Sequence, residues 1–255
     1  MSDVFVYADV PKIISETADY AVLYKPRGMP TAPLNWGEEG TLLAWFLKQR
    51  PEAADVIGKK DVEAGLIHRL DTATTGLVLI SKNQKIYDAF QIAQGRNFVK
   101  KTYTAICNSS LQALSEPVDL PHTITSQFRP FGRGGKMVLP VFYGMRHFSV
   151  SNKMYSTTIT NISEANDLVF ITCTLTQGYR HQVRAHLRNF GCPIYGDALY
   201  NDMFQPEIND EDIKKHDYPL QLFATGLSFP ESLTCGSESF NYVSFSLPAP
   251  EHPVL

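Results

Sequence analysis

The chain has 255 residues, of which 44% are hydrophobic, so it is long enough to bury a core as one large domain or two small ones. No apolar run reaches the roughly 18 to 20 residues that cross a bilayer, and the first residues lack the pattern of a signal peptide. We therefore expect a cytoplasmic protein. The four cysteines are scattered without a CxxC pair, which favours buried reduced thiols over a metal site or a disulfide framework.

The net charge of −3 hides a division of charge along the chain. Residues 95–190 hold eleven Lys or Arg against four Asp or Glu, whereas residues 191–255 hold two against ten. Salt screens charges that lie more than roughly 10 Å apart, so a local basic surface can attract phosphates on a slightly acidic protein. Scattering of these basic residues over unrelated faces is an equally compatible interpretation.

The spacing of apolar residues predicts a fold in which strands predominate over helices. In chain order we predict a strand at 21–25, a helix from 41, a strand at 76–82, a helix from 87, strands at 101–106 and 168–176, and a helix from 181 that ends at Gly191. Stretches rich in Pro and Gly or in acidic residues predict loops at about 116–140 and 201–217. The pattern indicates an α+β fold, and with no repeat or clear linker we expect a single catalytic domain over 1–255.

Asp71 stands in a loop of small hydroxyl residues, in the segment HRLDTATTG at 68–76, directly ahead of a strong strand signal. Such a carboxylate can accept hydrogen bonds from backbone N–H groups two residues on, as in an Asx-turn. It can equally serve as a reactive group. The segment alone leaves both interpretations open.

A second group of polar residues opens the helix predicted from residue 181. Arg180 and Arg184 are four residues apart and are expected on one helix face, where His181 and Gln182 could join them in facing a carboxylate or a phosphate. We predict no metal site here. His181 and His186 are five residues apart, not the three or four that place two ligands side by side, and no carboxylate nearby completes a set.

Two further positions are less specific. Lys25 begins the loop KPRG at 25–28, which follows a strand and is stiffened by prolines, and neither GxGxxG nor GxxxxGK[ST] occurs in the chain. Lys101 and Tyr103 alternate on a predicted strand, so their side chains face the same side. That pair is also typical of ordinary strand surface.

Five segments, taken in order, resemble the successive signatures of RluA-type pseudouridine synthases. They are KPRG at 25–28, HRLDTATTGLVLISK at 68–82, KTY at 101–103, GYRHQVRAHL at 178–187 and GDALY at 196–200. The resemblance implies the pseudouridine synthase fold, a mixed and mainly antiparallel sheet with flanking helices and loops and a central cleft. Because the first core strand begins near residue 20, we expect a stand-alone catalytic domain without an N-terminal S4-type domain.

The resemblance also implies roles for individual residues. Asp71 would be the catalytic aspartate, Tyr103 would pack against the target base, and Arg184 would pair with Asp71. Converting uridine to pseudouridine breaks the N-glycosidic bond, rotates the base and rejoins it through carbon, and a carboxylate can assist by covalent attack or by deprotonating the sugar. Both routes remain open. Because the reaction is an isomerisation without redox change, no cofactor and no metal is expected.

The expected partner is structured RNA, ribosomal or transfer, bound by a monomer. The residues expected to bind this substrate are Lys25, His68, Arg69, Lys101, Arg180, His181 and Gln182. Arg69 would fill the space left by the extruded base or form a structural ion pair, and both interpretations stand. The basic residues expected along the RNA backbone are Lys100, Lys101, Arg129, Arg133 and Lys136.

The chain departs from the family signatures at two places, and two other functions compete with this interpretation. Gly178-Tyr179-Arg180-His181-Gln182 stands where Gly-Arg-Thr-His-Gln is usual, and Thr75 stands where Ser is usual. One competing function is an inactive RNA-binding protein of the same fold, although a pure binder gains nothing from a buried charge. The other is a hydrolase that uses Asp71 with His68 or His181, for which no Ser or Cys nucleophile lies in a recognisable context.

Overall fold

The computed structural model describes residues 7–108, 118–202, 219–233 and 241–254. They fall into two compact units. The first contains Met1–Lys101 and Phe223–Ala249, and the second contains Thr102–Leu222 and Pro250–Leu255. The single catalytic domain expected over 1–255 stays a prediction. The acidic stretch predicted as a loop at 201–217 lies, from residue 203 onward, outside the described residues.

Strands outnumber helices in the described residues, as the sequence predicts. The strands are β1 (Lys12–Glu16), β2 (Tyr20–Lys25), β3 (Thr75–Ser81), β4 (Lys100–Cys107), β5 (His122–Phe131), β6 (Met137–Val141), β7 (Tyr155–Ala165), β8 (Leu168–Leu175), β9 (Leu222–Pro230) and β10 (Tyr242–Ser246). The α-helices are α1 (Leu42–Leu47), α2 (Gln84–Gly95) and α3 (Gln182–Asn189), with short 3-10 helices at Pro51–Asp55, Asp61–Glu63 and Arg133–Gly135. None of these helices is long and apolar enough to span a bilayer.

The first unit is built on a mixed sheet in the order β1, β2, β3, β9, with β10 paired to β9. β1, β2 and β3 are antiparallel, β3 and β9 run parallel, and β9 and β10 are antiparallel. α2 covers this sheet, and the rings of Phe90 and Phe229 meet edge to face at 5.1 Å. The helix begins three residues before its predicted start because the side chain of Asn83 caps it, accepting the N–H of Ile86 at 3.0 Å.

Gly76 allows β9 to lie against the start of β3, directly after the loop that holds Asp71. Its φ of +129° is a conformation that residues with a side chain rarely adopt. A Cβ at this position would also lie 2.3 Å from the carbonyl oxygen of Ala224, its partner in the parallel register. Glycine is therefore required here on both steric and conformational grounds.

Gly76→Ala is expected to lower the free energy of unfolding by about 3 kcal/mol, because either β9 must move away or the backbone must change conformation. In a chain of this size that corresponds to a fall in melting temperature of roughly 6 to 12 °C, measured by circular dichroism. Gly95→Ala at the end of α2 is the matched control, since a Cβ there meets nothing within 4 Å. Equal melting of the two variants would contradict the steric interpretation.

The second unit is a sheet in the order β4, β8, β7, β5, β6, in which β8, β7, β5 and β6 are successively antiparallel. The loop predicted at 116–140 is wrong, because β5 and β6 form a hairpin there. Pro130 and Pro140 suggested a loop, yet Pro140 lies in β6, the last strand in the order, and Pro130 lies beyond the part of β5 that pairs with β7, residues His122–Ser126. Proline is tolerated at a sheet edge, where its missing N–H costs no ladder bond. The turn of the hairpin contains three glycines with positive φ: Gly132, Gly134 and Gly135.

The four predicted strands and three predicted helices are confirmed as β2, β3, β4, β8, α1, α2 and α3. Cys107, Cys173 and Cys192 are buried and in no disulfide, as predicted, and burial raises the pKa of Cys173 to about 12. Cys235 lies outside the described residues. α+β with strands predominating is thus confirmed as the fold class.

Candidate active site

The loop that bears Asp71 is held in place by backbone contacts on both of its sides. Before Asp71, the hydroxyl of Thr31 donates to the carbonyl of Leu70 at 2.7 Å and accepts the N–H of the same residue at 3.1 Å. After Asp71, its own carbonyl accepts the N–H of Thr74 at 3.0 Å and closes a turn. Asp71 itself is half-buried. The first unit therefore presents one carboxylate on a loop with little freedom to move.

Lys25 connects the KPRG loop with the loop of Asp71. Its side chain is fully buried, and Nζ donates to the carbonyls of Pro26 at 2.9 Å, Met29 at 2.8 Å and Thr72 at 3.1 Å. Burial lowers the pKa of Lys25 to about 7, and the Asp71 carboxylate opposes that change. All three N–H donors of the ammonium are thus used within the protein. The substrate contact expected of Lys25 stays a prediction.

Arg69 forms an ion pair with Glu63, with Nη1 and Oε1 2.9 Å apart. Its side chain is 52% exposed, whereas that of Glu63 is 10% exposed. Of the two interpretations of Arg69, the ion pair is confirmed. An ion pair with one exposed partner stabilises a fold by roughly 1 kcal/mol or less, so the guanidinium can exchange Glu63 for another partner at low cost. Replacement of an extruded base by Arg69 stays a prediction.

His68 and Lys101 lie close enough for the charge of Lys101 to act on the imidazole. His68 Nε2 accepts the N–H of Leu79 at 3.2 Å, which places the proton of the neutral ring on Nδ1. Burial, with Lys101 nearby, lowers the pKa of His68 to about 3. Within the described residues Nδ1 is enclosed and has no acceptor. The imidazole is therefore neutral and offers one donor that the described protein does not use.

Lys101 is a buried cation, only 6% exposed. Burial lowers its pKa to about 8, and the like charge of Lys59 acts in the same direction. In the described ranges it has no carboxylate or carbonyl partner. Tyr103, two residues on in β4, is also buried, with 8% exposed. Both side chains are thus enclosed, unlike those of an ordinary strand surface.

In the second unit, α3 carries Arg184, whose guanidinium is held by Asp197. Nε donates to one carboxylate oxygen at 2.8 Å and Nη2 donates to the other at 2.7 Å. The ring of Tyr200 lies 5.1 Å from the guanidinium carbon. Arg184 and Asp197 are both buried, so the pair is a fixed element of this unit. Pairing of Arg184 with Asp71, which belongs to the other unit, stays a prediction.

Gln182, the first residue of α3, fixes the start of the helix. Its Oε1 accepts the N–H of Tyr179 at 2.9 Å, while its Nε2 donates to the carbonyl of Ser156 and to the hydroxyl of Thr157. The preceding residue, His181, adopts a left-handed φ of 55° and places Nδ1 3.1 Å from the hydroxyl of Tyr200. These contacts are structural, and the substrate contacts expected of Gln182 and His181 stay predictions.

Arg180 does not share a helix face with Arg184, so that prediction is wrong. α3 begins at Gln182, and Arg180 lies in the turn before it. Its Nη2 donates to the carbonyls of Gly135 and, at 3.2 Å, Met137. Arg180 thereby links the start of α3 to the β5–β6 hairpin, and its expected contact with the substrate stays a prediction.

Metal binding finds no support among the described residues, where no three His, Cys, Asp or Glu side chains come together as ligands. The candidate residues carry carboxylate, guanidinium, amine and aromatic groups, some in the first unit and some in the second. The sequence reasoning missed two residues that hold them in place: Thr31, which fixes the backbone of Leu70, and Asp197, which holds Arg184. Asp197 belongs to the GDALY segment at 196–200, so that signature could have indicated that Asp197 is a functional residue.

A family model described as RNA pseudouridylate synthase matches residues 19–189 of the chain. The match spans Asp71, Tyr103 and Arg184. The chain belongs to this family. The resemblance recognised in the five sequence segments is thereby confirmed.

Two bacterial proteins named as pseudouridine synthases are 25% and 30% identical to this chain over the residues that align. An uncharacterized RNA pseudouridine synthase of Bacillus subtilis is 25% identical over 242 residues, which are 94% of this chain and 69% of that protein. The ribosomal large subunit pseudouridine synthase D of Nitrosomonas europaea is 30% identical over 193 residues, which are 74% of this chain and 49% of that protein. The chain spans about half the length of that second relative.

Solved structures of the family share the fold. Human RNA pseudouridylate synthase domain containing 1 superposes with a TM-score of 0.64 at 17% identity, covering 94% of this chain and 84% of that one. Human RNA pseudouridylate synthase domain containing 4 gives 0.60 at 19% identity, with 94% and 88% covered. The pseudouridine synthase fold implied by the sequence is therefore confirmed.

His186 attaches α3 of this family member to the sheet and makes the second unit sensitive to acid. The ring is fully buried, with Nε2 2.9 Å from the hydroxyl of Ser126 and Nδ1 2.9 Å from that of Thr157. Burial lowers the pKa of His186 from 6.5 to about 4. Because the unfolded chain binds the proton first as the pH falls, the stability contributed by the neutral ring is complete above pH 6.5 and is lost toward pH 4.

The wild type is expected to lose roughly 2 to 3 kcal/mol more unfolding free energy than His186→Gln between pH 7 and pH 4.5. Glutamine can still bond to both hydroxyls but does not titrate. Urea unfolding at several pH values measures the difference, and the exposed His252, replaced in the same way, provides the control. Parallel pH profiles of the wild type and His186→Gln would contradict a neutral buried imidazole.

Proposed function

We propose that this protein isomerises uridine to pseudouridine in structured RNA, ribosomal or transfer, with Asp71 as the essential carboxylate. The family match over residues 19–189 is the observation that carries the proposal. The name of the Nitrosomonas europaea relative, ribosomal large subunit pseudouridine synthase D, favours ribosomal RNA among the substrates. The expected location follows from these substrates and is the cytoplasm.

The fixed loop of Asp71 supports a role in the chemistry. A group that attacks a sugar carbon or removes a sugar proton must be held within a fraction of an ångström of its target, because misplacement costs much of the rate. Thr31 and Lys25 provide that restraint on the two sides of Asp71. The Asp71 carboxylate in turn opposes the fall in the pKa of Lys25 and so favours the ammonium form that holds the two loops together.

The buried ammonium of Lys101 supports a polyanionic substrate. A cation taken out of water without a paired anion costs several kcal/mol, and no carboxylate of the described residues offsets that cost. A phosphate of bound RNA would supply the missing negative charge. Lys101 is therefore proposed to bind a phosphate beside the target nucleotide, and the neutral His68 is proposed to donate Nδ1–H to the same RNA.

Tyr103 and Arg184 complete the proposed site. Extruding the target base from its stack costs a few kcal/mol, and stacking on an aromatic ring returns roughly 1 to 3 kcal/mol. Tyr103 is proposed to provide this ring. Arg184 is proposed to pair with the Asp71 carboxylate when both groups act on the substrate. A monomer without cofactor or metal is part of the proposal.

The decisive experiment maps pseudouridine across all RNA from cells that lack the gene and from cells complemented with the native protein. The proposal expects one or a few sites in ribosomal or transfer RNA to disappear without the gene and to return with it. Complementation with Asp71→Asn provides the control, because it should restore no site. If every site persists without the gene, the proposal fails and the inactive RNA-binding protein becomes the better description.

A further inference from the structure

A continuous segment of the second unit carries positive charge and no negative charge. From residue 120 to residue 163 the chain contains no Asp or Glu. Its cations are Arg129, Arg133, Lys136, Arg146 and Lys153. They lie on the β5–β6 hairpin and on the loop that follows it, residues 128–154, which we call the basic arm. Salt screens the acidic remainder of the protein from such a surface beyond roughly 10 Å.

The basic arm also exposes large apolar side chains, which soluble surfaces usually avoid in groups. Tyr143 is 85% exposed, and it meets the ring of Phe148 edge to face at 5.4 Å. The others on this segment are Phe131, Met145, Val150 and Met154. The guanidinium of Arg129 lies over the ring of Phe131 at 5.7 Å. Cations beside exposed rings are the combination that binds unpaired nucleic acid, through phosphates and stacked bases.

The arm is fixed to the rest of the second unit by the residues at which this chain departs from the family signature. Tyr179 stacks on Phe128 of β5, with ring centroids 5.0 Å apart and planes 7° from parallel. Arg180 donates to two carbonyls at the turn of the hairpin, those of Gly135 and Met137. The two residues that differ from the signature expected from the resemblance are thus the ones that dock the hairpin.

The loop half of the arm is fixed separately. Gln127 is buried, and its Oε1 accepts the N–H of Ser149 at 3.1 Å, while its Nε2 donates to the carbonyls of Ser149 and Asn152. Both halves are therefore ordered before any partner binds. A preordered surface binds its ligand without the entropic cost of immobilising a loop.

We propose that the basic arm is a second RNA-binding surface, specific for unpaired RNA outside the target nucleotide, and that Tyr179 and Arg180 hold it in its binding conformation. The proposal rests on the proposed function for the identity of the substrate. Arg129, Arg133 and Lys136 would contact phosphates, and Tyr143 would stack on a base. This surface would select RNA that offers a single-stranded loop in addition to the modified uridine.

The test measures binding of two fluorescent RNA probes to Asp71→Asn protein over a range of salt concentrations, so that turnover plays no part. One probe is a stem-loop with ten unpaired nucleotides, and the other is a blunt duplex with the same number of phosphates. Replacing Arg129, Arg133 and Lys136 by Gln is expected to weaken stem-loop binding at least tenfold. The slope of log affinity against log salt should fall by about 2, since each lost single-strand phosphate contact removes roughly 0.7.

A matched control removes the same charge from the other unit, by replacing the exposed Lys60, Lys85 and Arg96 with Gln. Tyr143→Ala is expected to abolish the preference for the stem-loop over the duplex while leaving the salt slope unchanged. Equal losses for the two triple variants would overturn the proposal, because net charge alone would then explain binding. Unchanged stem-loop binding by the arm variant would also overturn it and would direct attention to an acidic protein partner.

Arg180→Thr tests the docking. It is expected to speed hydrogen exchange at amides 132–139 and to weaken stem-loop binding several-fold, with α3 amides unaffected. Unchanged exchange in the hairpin would exclude the docking role. Pseudouridine formation by the otherwise wild-type protein is followed in parallel. If the arm variant loses stem-loop affinity but the wild type forms no pseudouridine, the proposed function fails and the arm proposal stands. If the wild type forms pseudouridine but the arm variant keeps its stem-loop affinity, only the arm proposal fails.

Discussion

Asp71→Asn is expected to reduce pseudouridine formation by at least about 10³-fold, to below detection in most assays. Asparagine has nearly the same shape as aspartate but can neither attack the sugar nor accept a proton from it. The backbone bonds that hold the loop involve Thr31, Leu70 and Thr74, which the substitution leaves in place. The loss should therefore appear in kcat with little change in RNA affinity, measured by release of tritium from carbon 5 of labelled uridine.

Asp88→Asn is the matched control, because Asp88 is exposed on α2 of the same unit and its contact is a surface hydrogen bond with Gln84. It should turn over RNA at the wild-type rate. Melting temperatures within a few degrees of each other would show that both variants fold. Residual activity of Asp71→Asn above a few per cent would remove Asp71 from the chemistry and return it to a structural turn.

Arg184→Met is expected to destabilise the protein by about 3 to 5 kcal/mol, because it leaves the Asp197 carboxylate buried without its partner. The melting temperature should fall by roughly 6 to 20 °C. Arg188→Met replaces a more exposed arginine of the same helix and should cost less than about 1 kcal/mol of unfolding free energy, because the bond from Arg188 to Asp202 is long and solvated. Urea unfolding of the two variants measures the contrast.

The double variant Arg184→Met with Asp197→Asn separates structure from chemistry. Asparagine can still accept the N–H groups of Leu199 and Tyr200, which Asp197 now accepts, and it removes the unpaired charge. At least half of the lost stability should return. If pseudouridine formation returns with it, Arg184 acts only by supporting the fold. If the stable double variant stays inactive, the pairing of Arg184 with Asp71 gains its first support. Equal stability of Arg184→Met and the wild type would contradict the buried pair.

Local signals in the sequence were enough to predict the elements that carry the candidate site. β3 and β8 are apolar runs that contain several β-branched residues, and Gly191 and Pro193 follow shortly after α3 ends at Asn189, so short-range chemistry defines each of them. The family signatures added Asp71, Tyr103 and Arg184, none of which spacing alone could have assigned to a reaction.

What the sequence could not predict depends on contacts between distant segments. The β5–β6 hairpin contains prolines and glycines that favour a loop locally, and only the pairing of Arg129 with Leu139 and its neighbours makes them strand residues. Nothing in the local sequence indicates that Arg180 precedes α3, but in the structure its guanidinium donates to two carbonyls of the hairpin turn. Lys25 and Thr72 are far apart in sequence and meet only because β2 and β3 are neighbours.

The first unit is discontinuous, since residues 223–249 return to complete a sheet that begins with residue 12. During synthesis on the ribosome, β3 emerges well over a hundred residues before β9, its parallel neighbour. Until then β3 has β2 beside it on one edge but no strand on the other edge at Gly76, and the Asp71 loop just ahead of it lacks part of its support. The first unit, and with it the full support of the Asp71 loop, is therefore complete only after residues 223–249 have been synthesised.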